Sequence, residues 1–188
     1  APVRSLPAVA SLVTFPRSNQ PAITKNYSYS SRNYLGNGSS ARWRNDGDNL
    51  YRAVGSYEYD VNEDLIVGVG SAARVMRRTR RVFNRFHLQT EETVSQNGKT
   101  VRNVTQYHEK PGLKFEEQPG NFQLPAKMEV FWFDAAKPGV IRRETTLTEY
   151  DDFGNLLKRV SPTGITEVFE YYPPGESDGC PADAFGAV

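Results

Sequence analysis

Residues 148–171 read Thr148-Glu149-Tyr150-Asp151-Asp152-Phe153-Gly154-Asn155-Leu156-Leu157-Lys158-Arg159-Val160-Ser161-Pro162-Thr163-Gly164-Ile165-Thr166-Glu167-Val168-Phe169-Glu170-Tyr171. A β-run ends at Tyr150-Asp151, and Gly154 supplies the positive φ that a turn out of it demands. Leu156 to Val160 forms the next strand. Ser161-Pro162-Thr163-Gly164 places Pro at the second and Gly at the fourth position of a type I turn. Ile165 to Tyr171 then alternates in the two-residue period of a pleated strand. Strand, tight turn, strand, tight turn, strand is a meander segment with unpaired edges, so it needs neighbours on both sides.

The rest of the chain supplies them. Asn97-Gly98 is a two-residue hairpin signal, and Thr100 to Tyr107 returns from it as a β-branched strand. Val82 to Val94 reads as a long strand or a bent pair. Pro111-Gly112 and Pro119-Gly120 bracket a loop, after which Lys127 to Phe133 is apolar on both faces and expected to be well covered. Ile141 to Tyr150 is a long Thr-rich strand. Upstream, Pro2, Pro7, Pro16 and Pro21 forbid a long helix and suit edge strands. Ile23 to Tyr29 has the pattern of a half-buried strand, and Asn37-Gly38 marks a further turn. Tyr57-Glu58-Tyr59-Asp60 reads as the end of a strand, and Leu65 to Gly70 as a short buried one. Only Ala72 to Arg78 carries helical propensity, over too few residues to nucleate firmly. The expected fold is therefore all-β, built of antiparallel hairpin repeats with at most one short helix.

Composition bounds the function. The chain has 188 residues, enough for one domain with a core and an appendage. With 23 Lys+Arg against 22 Asp+Glu, net charge is +1 and gives no reason to expect nucleic acid or an anionic membrane as partner. A single cysteine, Cys180, excludes an intrachain disulfide and a cysteine-based zinc site. No apolar run approaches the roughly 20 residues that span a bilayer as a helix. The start, Ala1-Pro2-Val3-Arg4, suggests an internal piece of a longer polypeptide or a processed chain.

Chemistry-bearing patterns are sparse. Asn45-Asp46-Gly47-Asp48-Asn49-Leu50-Tyr51 is rich in carboxylates, but its ligand spacing does not match a calcium loop, and a turn between strands explains it. Arg74, Arg77, Arg78, Arg80, Arg81 and Arg85 would be phosphate contacts in a nucleic-acid reading, with Phe83 and Phe86 stacking. The near-zero net charge favours arginines that face water or pair with Glu91, Glu92 and Glu109 across a sheet. His87 and His108 are the only histidines, both beside expected strand ends. Asp151-Asp152, Glu91-Glu92 and Glu116-Glu117 are adjacent pairs, and neighbours on a strand point to opposite faces, which argues against acid/base couples. No nucleophile elbow, zinc-helix signature or phosphate loop is present. No catalytic residue, cofactor or metal site is expected.

The opening motif recurs in degenerate form. Tyr150-Asp151 is followed by Gly164 and Tyr171, Phe83-Asn84 by Gly98 and Tyr107-His108, and Phe133-Asp134 lies between. Tyr150, Asp151, Gly154, Asn155, Leu156, Pro162, Gly164 and Tyr171 together resemble the YD-repeat, or Rhs repeat, whose unit is a Tyr-Asp, a Gly-x-Leu-like turn, a later Gly and another Tyr. The earlier unit departs from it: Phe83 and Asn84 replace Tyr and Asp, and Phe86-His87-Leu88 replaces the Gly-x-Leu step. Tyr27-Ser28-Tyr29 through Asn33-Tyr34-Leu35-Gly36, then Asp48-Asn49-Leu50-Tyr51, is similar to the segment entering the Rhs region of the B component of bacterial insecticidal ABC (Tc) toxin complexes. Gly179-Cys180-Pro181-Ala182-Asp183 is similar to that family's continuation past its early repeats.

The resemblance implies a β-rich lead-in over residues 1–78, degenerate repeats over 79–175 and an irregular tail over 176–188. It also implies a secreted structural protein, a fragment of a hollow shell wound from β-sheet. Its partners would be other Rhs segments of the same polypeptide and a C-type component with its toxic passenger, without nucleic acid or direct membrane contact. The autoproteolytic aspartates of such assemblies belong to the C component and match nothing here. The competing reading is an adhesin or carbohydrate-binding module using Trp43 or Trp132.

Overall fold

Alternation and turn chemistry carry through to three dimensions as an antiparallel meander of the described strands. The computed structural model describes residues 8–17, 20–30 and 58–172. The strands are β1 (Ser11–Thr14), β2 (Ile23–Tyr29), β3 (Tyr59–Val67), β4 (Arg74–Phe83), β5 (Gln89–Gln96), β6 (Lys99–Tyr107), β7 (Pro125–Asp134), β8 (Ile141–Tyr150), β9 (Leu156–Val160) and β10 (Thr166–Val168). All ten lie in a single sheet in sequence order, each antiparallel to the next. The fold is all-β, and its helical content among the described residues is two three-residue 3₁₀ turns, Gly70–Ala72 and Phe115–Glu117.

Several local expectations need correction. Ala72 to Arg78 is not helical. The 3₁₀ turn ends at Ala72, and Arg74 opens β4, whose ladders to β3 and β5 outweigh a weak local propensity. Tyr59-Asp60 begins a strand rather than ending one, and Leu65 belongs to the same β3. The boundary at 78/79 falls inside β4. The Asn37-Gly38 turn, Asn45 to Tyr51, Trp43, and the tail with Cys180 lie outside the described residues.

The two-residue period gives the sheet a front face bearing Glu63, Thr79, Glu92, Val101, Trp132 and Thr148, and a back face bearing Asp60, Arg80, Glu91, Arg102, Phe131 and Leu147. No second layer covers either face among the described residues. Among the described residues the buried apolar side chains are Phe86 and Phe122, 3% and 7% exposed, and both lie in connections beyond the strand ends. β7, expected to be well covered, is only partly buried. Its aromatics are covered by arginines instead, with the Arg142 guanidinium 4.9 Å from the Trp132 ring and those of Arg102 and Arg143 5.8 and 5.6 Å from Phe131.

Ion pairs between neighbouring strands brace both faces. On the front, buried Glu63 gathers Lys25 of β2 at 3.3 Å with Arg77 and Arg81 of β4 at 3.6 and 3.8 Å, and Arg81 continues to Glu92 of β5 at 2.8 Å. On the back, Arg80 joins Asp60 at 2.9 Å and Glu91 at 3.5 Å, and Arg102 meets Glu91 at 2.7 Å. Arg77, Arg78, Arg80 and Arg81 are thus split between two faces and paired with carboxylates on adjacent strands, whereas Arg85 lies beyond the end of β4 and donates to the backbone carbonyls of Lys110 and Leu113. Adjacent Glu91 and Glu92 point to opposite sides, as strand geometry requires.

Candidate functional site: a repeated hairpin device

The residues singled out in the sequence converge on a local construction that occurs twice. In the β8–β9 turn the Asp151 carboxylate accepts hydrogen bonds from the backbone N–H groups of Phe153 (2.9 Å) and Asn155 (2.8 Å). Asp151 N–H donates to the Asn155 carbonyl, and Gly154 N–H donates to the Asp151 carbonyl. Gly154 sits at φ 88°, the left-handed step that closes a type I turn with a bulge. Burial disfavours the Asp151 charge, but the Asn155 side chain and the backbone N–H groups of Asn155, Phe153 and Gly154 outweigh it and hold the carboxyl below its ordinary range.

The β4–β5 turn repeats the four bonds given by backbone N–H groups. Asn84 Oδ1 accepts from Phe86 N–H and Leu88 N–H, both at 3.0 Å. Asn84 N–H donates to the Leu88 carbonyl, and His87 N–H donates to the Asn84 carbonyl. His87 takes the glycine position at φ 60°. Leaving a non-glycine residue there costs about 1–2 kcal/mol, offset by the ring, whose Nδ1 lies 3.0 Å from the Tyr59 hydroxyl. Ser161 to Ile165 has the same backbone pattern, with Gly164 at φ 85°.

The closing tyrosine of each unit ties back to the first strand after the turn. Tyr107 donates its hydroxyl to the Gln89 carbonyl at 2.9 Å, and Tyr171 donates to the Leu156 carbonyl at 3.0 Å. Gln89 and Leu156 occupy the same place, one residue beyond the turn. Burial raises the Tyr107 hydroxyl above its ordinary range, so it stays a donor. The strands next to these turns carry register shifts at Val82/Phe83, Gln106/Tyr107 and Glu149/Tyr150, each beside the motif aromatic.

Both turns lie at the same end of the sheet, and the 108–124 connection bridges them. At one side Phe86 packs on Phe115 and Phe122, Arg85 Nη2 donates to the Leu113 carbonyl at 2.6 Å, and Asn84 Nδ2 donates to Glu109 at 2.7 Å. At the other, Asn121 Nδ2 donates to the Tyr150 carbonyl at 3.3 Å, and a Cβ on Gly120 would stand 2.8 Å from the Asp152 carbonyl oxygen. The His108 ring meets Tyr150 edge-on at 5.8 Å. Phe133-Asp134, the intermediate motif, lies at the opposite end. Its carboxylate accepts from Ala136 N–H at 2.9 Å, only the first half of the device.

Sequence reasoning picked out Tyr150, Asp151, Gly154, Leu156, Gly164 and Tyr171, and the structure puts all six in one β8–β10 unit. It did not assign roles to Asn84, His87 or Tyr107. The signal was the parallel placement of Phe83-Asn84 and Tyr107 against Tyr150-Asp151 and Tyr171. Among the described residues, no cluster of three or more His, Cys, Asp or Glu side chains is placed to hold a metal. Arg80, Glu91 and Tyr107 of the back face, with Glu109 of the connection after β6, line an open groove of about 520 Å³. In comparisons with known proteins, the chain matches no protein-family model, no curated protein and no solved structure.

Proposed function

We propose that the chain is a structural Rhs/YD-repeat segment of a secreted bacterial toxin, one panel of a β-sheet shell that encloses a toxic polypeptide for delivery. The observation that carries this reading is the pairing of a one-layer meander with a turn-and-tyrosine device that occurs twice, across β4–β6 and across β8–β10. A repeated strand unit that cannot bury a face alone is stabilised by its neighbours along the sheet. Ion pairs between neighbouring strands brace both faces, and the panel keeps two accessible faces, one for a cargo and one for solvent.

The mechanism is steric. A pleated wall one sheet thick, continued at both edges by further hairpins of the same polypeptide, keeps an unfolded passenger from proteases until release. No reactive centre or cofactor is needed. The partners are flanking repeat segments and a C-type component carrying the passenger.

The test is protease protection. The full polypeptide, co-expressed with its passenger-bearing component, should leave the passenger resistant to limited proteolysis until the shell is denatured, and the flanking coding region should contain many further Tyr-Asp units. A passenger digested as fast inside the complex as free, or flanks without such units, would refute the assignment.

A further inference from the structure

The front face holds a second recess, of about 360 Å³, at the β5–β6 and β7–β8 turn end. Strand register builds it. Val101 of β6 stands opposite Trp132 of β7, Trp132 opposite Arg142 of β8, and Lys99 opposite Asp134, so these side chains share one face. The β7–β8 connection adds Lys137 and Val140 to the lining. Trp132, Val101 and Val140 make an apolar wall, and Lys99, Lys137 and Arg142, with the single carboxylate of Asp134 among them, make a rim of net positive charge.

The charges at this rim are not balanced as they are elsewhere on the sheet. Around Phe131 on the back face, Arg102 is taken up by Glu91 and Arg143 by Glu129. At Trp132, Arg142 pairs with Glu144, and Asp134 directs a carboxylate oxygen to Ala136 N–H. Lys99 and Lys137 make no ion pair among the described residues, although Asp134 stands opposite Lys99 in the ladder. Two ammonium groups beside an indole and two valines complement a ligand with a flat apolar body and one anionic head.

We propose that this recess binds a small aromatic carboxylate, its ring against Trp132, Val101 and Val140 and its carboxylate between Lys99 and Lys137. The volume lies within the range of small-molecule sites, about 300–1,000 Å³. A charge-assisted contact beside apolar surface is stronger than one in open water. A neutral aromatic would leave the lysines uncompensated, and a bare phosphate would leave the apolar wall wet. The site is independent of the shell reading, since it uses neither the sheet edges nor the repeated turns.

The chain has two tryptophans, so its indole N–H resonances report directly on the site. In ¹⁵N-labelled full-length chain, Trp43→Phe identifies the Trp132 signal, which is then followed on titration with phenylacetate and with phenylacetamide. Phenylacetate should move the Trp132 signal saturably, and the amide should bind at least about tenfold more weakly, the ratio expected for one lost charge-assisted contact. Lys99→Gln combined with Lys137→Gln should weaken phenylacetate by a similar factor while the rest of the spectrum is unchanged. If the double variant loses its fold, Lys137→Gln alone, in an exposed turn, serves instead. No saturable shift, equal binding of acid and amide, or full affinity in the lysine variants would overturn the proposal.

Discussion

A single side chain oxygen organises each of the two turns, and it is an amide oxygen in one and a carboxylate in the other. Asn84 and Asp151 accept the same two backbone N–H groups, so the acceptor matters more than the charge. Asp151→Asn should therefore unfold at a urea midpoint close to that of the wild type, whereas Asp151→Ala, which strands two donors, should unfold at a clearly lower one. The small advantage of the carboxylate depends on pH. Because the native carboxyl is held below its ordinary value of 3.8, its contribution is complete above that pH and is lost as pH falls through the lowered native value. Denaturation of wild type and Asp151→Asn in parallel should show the two midpoints converging below about pH 4, and a gap independent of pH would contradict this sign. Gly164 gives a cleaner measure of backbone strain, since a Cβ there meets nothing within 4 Å and φ is 85°. Gly164→Ala should cost about 1–2 kcal/mol through the left-handed conformation alone, read by the same denaturation.

At the scale of the strand and hairpin, stability comes from cross-strand ties. Tyr107→Phe and Tyr171→Phe each remove one hydroxyl-to-carbonyl bond and nothing else, so each should cost about 1 kcal/mol. The two losses should add in the double variant, because the units share no partner. Glu63→Gln has a different logic: it leaves Lys25, Arg77 and Arg81 facing each other around a neutral amide. Those cations are about a third exposed, at 34%, 38% and 32%, so solvent screens part of the loss. The expected cost is about 1–2 kcal/mol, smaller in high salt than in low. Much at this scale was legible in the chain. Asn97-Gly98, Pro162 to Gly164 and Gly154 state their turns directly, and they fix the hairpins on either side. The start of β4 was not legible, because Ala72-Ala73 lead into the arginines with helical preference and only the ladders to β3 and β5 decide otherwise. Nor could the hydroxyl partners of Tyr107 and Tyr171 be read, or the docking of the 108–124 connection across two turns. These contacts join residues 15 to 29 positions apart and follow from register rather than from spacing.

For the whole molecule, the unusual property is a ten-stranded sheet without a covering layer among the described residues. Among the described residues, its terminal strands β1 and β10 each pair on one side only, and they expose Leu12, Val13 and Val168 at 50%, 46% and 66%. Such edges accept further strands, either the next hairpin of a longer polypeptide or a second copy of this one. A lysine on an edge strand is the device by which natural sheets suppress that pairing, so Val168→Lys should reduce association at β10 without disturbing the interior. The most direct measurement is sedimentation velocity of the isolated chain over a concentration series, wild type beside Val168→Lys. A panel made to be continued by its neighbours will show a weight-average mass that climbs with concentration and falls back toward the monomer in the variant. A stable monomer at every concentration, or association indifferent to the edge lysine, would mean that this sheet is complete in itself and is not a segment of a wall.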